Sequence, residues 1–194
     1  MKKTLLMLAF VAAGTIAAKA QIQRGNVMVG GDISNFDIGL TSGSRFTAEI
    51  NPKAAWFIKD NTAIGGYVQL GLSTAKGQGT DFTYGVGALA RKYMGGDAVP
   101  TIRHTRIFFE GNVGIEGENH SESSTNTTTN GLGLGIGPGL AYFVTPNIGL
   151  EGLLKYNGIV GFGTRATTHN LNLHIGFQIY LPGRAIRNAA TNTQ

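Results

Sequence analysis

Ten charged residues in this sequence could do chemistry, because they fall on the polar side of segments in which polar and apolar residues alternate. If those segments are strands of a closed sheet, the ten side chains point into its interior, where charges must pair. Residues four apart on one strand are about 13 Å apart, so the pairs must form between strands or across the interior. The acidic members are Asp32, Glu49, Glu110, Glu116 and Glu151, and the basic members are Arg45, Lys53, Arg91, Arg106 and Lys155. Their near balance of sign predicts a structural plug; a narrow, gated ion path is the alternative.

The histidines do not add a reaction centre to this charged set. His104, His120, His169 and His174 show no ligand spacing on one face with a carboxylate, and the chain has no cysteine. No segment combines a nucleophile, a base and a group that orients the base. The sequence therefore predicts a protein without a metal or other cofactor and without enzymatic activity.

The segment 131–139, GLGLGIGPG, has the glycine content of a phosphate-binding loop. Such a loop has the spacing G-x-G-x-x-G and leads into a helix, whereas this segment alternates strictly and no helical pattern follows it. We interpret it as a strand whose inward glycines leave room for long side chains from neighbouring strands.

The N-terminus has the pattern of a cleavable secretory signal. Lys2 and Lys3 precede an apolar run of about fourteen residues, and Ala18 and Ala20 provide small side chains for cleavage before Gln21. The apolar run is too short for a spanning helix. Residues 1–20 are thus predicted to direct export, and nothing in the charge that then remains favours binding of nucleic acid.

From residue 21 onwards the dominant pattern is alternation with a period of two, which is typical of β-strands. In the last segment the alternate residues Leu171, Leu173, Ile175, Phe177 and Ile179 are all apolar, and the residues between them are polar or small. Eight such segments of roughly nine to thirteen residues occur, each long enough to cross a bilayer when tilted. They predict an all-β fold: an eight-stranded antiparallel up-and-down transmembrane β-barrel over residues 21–181, followed by a short periplasmic tail, 182–194.

The apolar side of these segments predicts contact with lipid. It holds roughly forty residues, and Lys92, at a strand end, is its only charged member. A secreted soluble barrel that binds a ligand inside, as lipocalins do, is the rival class. Its outer face would be rich in lysine and glutamate, whereas the polar side here carries mainly glycine, asparagine, threonine and sparse charge.

The predicted strands have two irregular points and two long connections. Pro52 and Pro138 each remove a hydrogen-bond donor, so we expect a bulge or irregularity at both. The polar stretch 116–130 is predicted to be an external loop. The connector 95–104 is longer than the turns usual at the periplasmic side.

The last predicted strand carries the most specific motif. His174-x-Gly176-x-x-Ile179-x-Leu181 resembles the signal that the barrel assembly machinery reads, and the chain as a whole resembles the small eight-stranded outer-membrane barrels, such as the OmpA transmembrane domain, OmpX and the OmpW-like proteins. The resemblance implies a Gram-negative outer membrane, outer-membrane lipid and the assembly machinery as partners, and a role in envelope integrity or in contacts with an extracellular partner through the loops. A narrow channel for small or apolar solutes is the alternative function.

The signal pattern makes a first testable prediction. Protein isolated from the cell envelope should begin at Gln21, because Ala18 and Ala20 fit the pocket of the signal peptidase. Intact-mass measurement of the purified protein checks this. A mass that retains residues 1–20 would contradict the prediction.

Overall fold

The computed structural model describes residues 22–38, 45–75, 79–94, 104–122, 125–162 and 168–183, and these form one closed β-barrel. Each strand pairs antiparallel with the next, and β1 pairs with β8 to close the sheet. The eight strands are β1 (Val27–Ile38), β2 (Arg45–Lys59), β3 (Thr62–Ala75), β4 (Thr80–Tyr93), β5 (Thr105–Glu122), β6 (Thr125–Thr145), β7 (Ile148–Gly161) and β8 (Thr168–Leu181). The predicted fold and strand number are therefore confirmed, while residues 1–21 and 184–194 lie outside the described part of the chain.

Tight turns define one end of the barrel. Asp60 and Asn61 connect β2 to β3, and Pro146 and Asn147 connect β6 to β7. Asn61 has a φ of 62°, a left-handed conformation that asparagine tolerates better than most residues. Because successive strands run in opposite directions, this turn end also holds the start of β1 and the end of β8. The opposite end is called the loop end below.

The long polar stretch is not the loop that the sequence predicted. β5 continues to Glu122 and β6 starts at Thr125, and these two residues pair at the tip of the hairpin. β4 accompanies β5 as far as the pair Thr80 and Ser121, but β7 accompanies β6 only as far as Gly161 and Gly131. The β-branched threonines at 125 and 127–129 favour extended backbone, so this stretch lengthens the hairpin instead of forming an open loop.

The two prolines interrupt the sheet without inserting a residue. The β2–β3 pairing passes from Ile50 to Lys53, and the β6–β7 pairing passes from Ile136 to Gly139, with the same register on both sides of each gap. The predicted irregularities are thus present as missing pairs. The register shifts lie elsewhere, in β1 between Ser34 and Asp37 and next to the two tight turns.

The two faces of the wall differ as the alternation predicts. Outward positions carry large apolar side chains that stay exposed, including Trp56 at 58% and Ile136 at 62%. Lys92, at the turn end, is exposed and donates to Thr62 Oγ1 over 3.1 Å. Within the described residues no helix is long and apolar enough to cross a membrane.

The orientation of the faces predicts how charge is tolerated. Val113 and Leu134 face each other across β5 and β6 on the outer surface. Replacing either with arginine should lower the free energy of unfolding in liposomes by about 2–4 kcal/mol, because lipid cannot solvate the charge.

Asn119, which is exposed six residues further along β5, provides the matched control. Asn119→Arg should leave the urea midpoint nearly unchanged. An equal change of the urea midpoint for arginine at Val113 and at Asn119 would mean that the barrel wall at Val113 does not face lipid.

Candidate functional site

Arg91 is buried in the lumen and joins two walls of the barrel. Its neighbour on β5, Glu110, accepts hydrogen bonds from Nη2 over 2.6 Å and from Nε over 3.0 Å. On β7, across the lumen, both oxygens of Glu151 lie 2.8 Å from Arg91 Nη1. All three side chains are buried, and the guanidinium is satisfied by two carboxylates as buried ions require.

Lys53 extends this network to the strands on the other side. Its Nζ atom lies 2.6 Å from Asp32 Oδ2 on β1 and 3.0 Å from Glu110 Oε1 on β5. Glu110 therefore binds two cations, and Lys155 Nζ is a third at 4.0 Å. As the strand geometry demands, Lys53 pairs with residues of other strands and not with Glu49 on its own strand.

His174 on β8 joins this network through Asp32. Its Nδ1 atom lies 2.8 Å from Asp32 Oδ1, which also accepts a hydrogen bond from Asn51 Nδ2 over 3.0 Å. Asp32 binds Lys53 as a carboxylate, so His174 Nδ1 is assigned as the donor. The network thus connects β8, β1, β2, β4, β5 and β7.

An aromatic layer closes the lumen between this network and the turn end. Tyr93 and Tyr180 share a hydrogen bond of 2.6 Å, and Tyr180 also donates to Glu151 Oε1 over 2.8 Å. The Arg91 guanidinium carbon lies 4.1 Å from the centre of the Phe108 ring, a cation–π distance. The layer consists of Met28, Phe57, Tyr93, Phe108, Phe143 and Tyr180, all buried.

The glycines of β6 make room for these side chains, as the sequence predicts for segment 131–139. A side chain at Gly133 would overlap the carboxyl group of Glu116, and one at Gly139 would overlap the Phe108 ring. At Gly135 it would meet Asn112 and Lys155. This strand therefore provides a flat inner wall against which long side chains from both neighbouring strands pack.

A small cavity lies on the loop-end side of the charged network. Its volume is about 10 Å³, roughly the room that one water molecule needs. Glu49 accepts hydrogen bonds from Ser34 Oγ and Asn35 Nδ2, and Glu116 accepts one from Tyr67 over 3.0 Å. The lining residues are Glu49, Asn51, Lys53, Tyr67, Gln69, Glu110, Glu116, Lys155, Asn157 and His174.

The structure brings most, but not all, of the predicted lumen charges together. Asp32, Glu110, Glu151, Lys53 and Arg91 form ion pairs. Glu49, Glu116 and Lys155 line the cavity beside them.

Two predicted lumen charges are not placed in this cluster. Arg106 is only half-buried, because it precedes Phe108 on β5 and so lies at the turn-end margin of the aromatic layer. The side chain of Arg45 lies outside the described residues. In the proposed assembly motif, His174 and Gly176 lie on the inner face, and Ile179 and Leu181 lie on the outer face.

Several network members are uncharged and were not predicted as site residues. Tyr93 and Tyr180 bind the central ions, and Asn51, Tyr67 and Asn112 bind carboxylates or each other. The alternation places these residues on the inner face, and this is the sequence feature that could have indicated their role in the network. Among the described residues, no group of three or more His, Asp or Glu is placed to hold a metal ion.

Comparisons with known proteins place this geometry in a structural class. No family model and no curated protein matches the sequence. Among solved structures, neisserial surface protein A has a TM-score of 0.55 and 15% identity, covering 81% of this chain and 96% of that one. The N-terminal barrel domain of Pseudomonas aeruginosa OprF has a TM-score of 0.53 and 14% identity, covering 81% of this chain and 98% of that one. Ail, the attachment invasion locus protein of Yersinia pestis, has a TM-score of 0.52 and 11% identity, covering 82% of this chain and 100% of that one. The chain thus has the fold of the small eight-stranded outer-membrane barrels.

The central network predicts a large effect of removing one carboxylate. Glu151→Gln leaves the buried Arg91 with one carboxylate, which should lower the free energy of unfolding by about 3–5 kcal/mol if the site is dry. Urea unfolding of the reconstituted protein measures the change.

Glu118→Gln is the control, because it removes the same charge from an exposed position on β5. It should change the stability little. Similar midpoints for the two variants would show that the ion pairs of Arg91 do not stabilise the barrel.

Proposed function

We propose that this protein is a non-enzymatic barrel of the bacterial outer membrane that has a plugged interior and acts at the cell surface through its extended hairpin. The shared fold supports the location, as does the outer face, where large apolar side chains are exposed around the wall. A secreted ligand-binding barrel would have the opposite arrangement, with a polar exterior and an apolar cavity.

The packing of buried side chains in the lumen is the observation that carries the proposal of a plug. Arg91, Glu110 and Glu151 bridge the lumen, and the aromatic layer fills the space between them and the turn end. An eight-stranded barrel has an interior that side chains just fill. Solute would have to displace fully buried ion pairs, so a steady path through the barrel is disfavoured.

The hairpin of β5 and β6 is the part best placed to contact a partner. It extends about 20 Å beyond the last β6–β7 pair, since Thr125 lies six positions before Gly131 along β6. In the described part of the chain, the backbone of residues 125–129 has no strand paired with its β7 side. An open strand edge is a template for an extended segment of another protein.

Conductance tests the plug directly. The wild-type protein in a planar bilayer should show no large open-pore steps, because the charged network and the aromatic layer close the lumen. A steady conductance in the nanosiemens range from the monomer would overturn the plug and favour the narrow channel.

The envelope location is tested by fractionation. The protein should remain in the membrane pellet after a carbonate wash, and an unboiled sample should migrate differently from a boiled one on a denaturing gel. Release into the soluble fraction would instead favour the secreted barrel.

A further inference from the structure

The cavity in the lumen lies on the loop-end side of the charged network. Along β2, the residues Glu49, Lys53 and Phe57 lie successively closer to the turn end. The first lines the cavity, the second belongs to the charged network and the third to the aromatic layer. Because the network and the aromatic layer fill the turn-end side, the loop end is the side from which a ligand would approach the pocket.

Buried acidic side chains outnumber buried lysine and arginine side chains in and around this pocket. Glu110 is neutralised by Arg91 and Lys53, but Glu49 and Glu116 are bound only by neutral donors. No lysine or arginine nitrogen among the described side chains lies within 4.0 Å of either. The buried acidic residues are Asp32, Glu49, Glu110, Glu116 and Glu151, against Lys53, Arg91 and Lys155. Two buried negative charges therefore lack a cation within this described set.

An independent feature of the pocket is a histidine nitrogen without a partner. His174 lines the cavity with 3% of its surface exposed, and its Nε2 atom makes no hydrogen bond. When a neutral ring donates its Nδ1 hydrogen to Asp32, its Nε2 atom is an acceptor. A buried acceptor of this kind is costly unless a donor binds it.

We propose that the pocket binds the ammonium group of a small primary amine, or the ammonium ion itself. Such a group supplies the missing positive charge together with several N–H donors, which suit Glu49, Glu116, Gln69 and His174 Nε2. The water-sized cavity admits one –NH₃⁺ head, and the rest of the amine extends towards the loop end. A metal ion fits less well, since no three metal-binding side chains converge in the described lumen.

Lysine residues in the lining set the position of the bound cation. Lys53 is held between Asp32 and Glu110, and Lys155 is closest to Glu110. Like charges repel, so the ammonium group binds closest to Glu49, since Lys155 Nζ lies 5.6 Å from the centre of the Tyr67 ring, whose hydroxyl binds Glu116.

Methylammonium titration of the folded protein in detergent micelles tests the proposal. The ring resonances of His174, followed by NMR with labelled histidine, should shift and saturate with methylammonium chloride. Tetramethylammonium chloride at the same concentration should not shift them, because it has the same charge but no N–H donor and is too large for the cavity. Equal responses to the two salts would overturn the proposal.

Variants at the pocket separate specific binding from general electrostatics. Glu116→Gln should weaken methylammonium binding by at least about tenfold, since it removes a charged acceptor. Glu118→Gln, the same change two residues along β5 at an exposed position, should leave binding unchanged. Unboiled gel mobility verifies that each variant is folded, and Glu49→Gln replaces Glu116→Gln if the latter does not fold. Equal affinity in a folded pocket variant and in Glu118→Gln would contradict the assigned site.

Discussion

The interaction on which this structure depends is the pairing of Arg91 with Glu110 and Glu151 inside a closed wall. A guanidinium buried at 1% exposure is tolerated only if its charge and its donors are matched, and the two carboxylates and the Tyr93 hydroxyl do so. The same carboxylates fix Lys53 and Tyr180. The Arg91 guanidinium thus positions the side chains around it, directly or through its two carboxylates. The aromatic layer packs against these side chains.

Much of the wall could be predicted from the sequence because the alternation of a strand is a local property. The inward position of Glu110 and the outward position of Val113 follow from parity alone. The ion pairs could not be predicted, since they depend on which strands meet across the lumen and at what height. Arg106 shows the limit: it has the same inward parity on β5 as Glu110, yet its position along the strand places it on the turn-end side of Phe108.

Hydrogen-bonding residues without charge were missed for a related reason. Tyr93 and Tyr180 are amphipathic, so alternation does not reveal whether such a side chain serves as apolar filling or as a donor to an ion. In the lumen they do both, since their rings fill the layer and their hydroxyls contact Arg91 and Glu151. The hairpin beyond Gly131 was misjudged because polar, threonine-rich segments suit loops and strands alike.

The gaps at Pro52 and Pro138 divide the sheet into two equal groups of strands. One gap lies between β2 and β3 and the other between β6 and β7, so β3–β6 form one half of the cylinder and β7, β8, β1 and β2 the other. Within each of these two seams, the ladder lacks the pairs at and next to the proline, so the wall has fewer backbone hydrogen bonds at that point. Arg91 and Glu110 belong to one half, and Glu151 and Lys53 belong to the other. The ion pairs Arg91–Glu151 and Lys53–Glu110 therefore connect the two half-cylinders across the lumen.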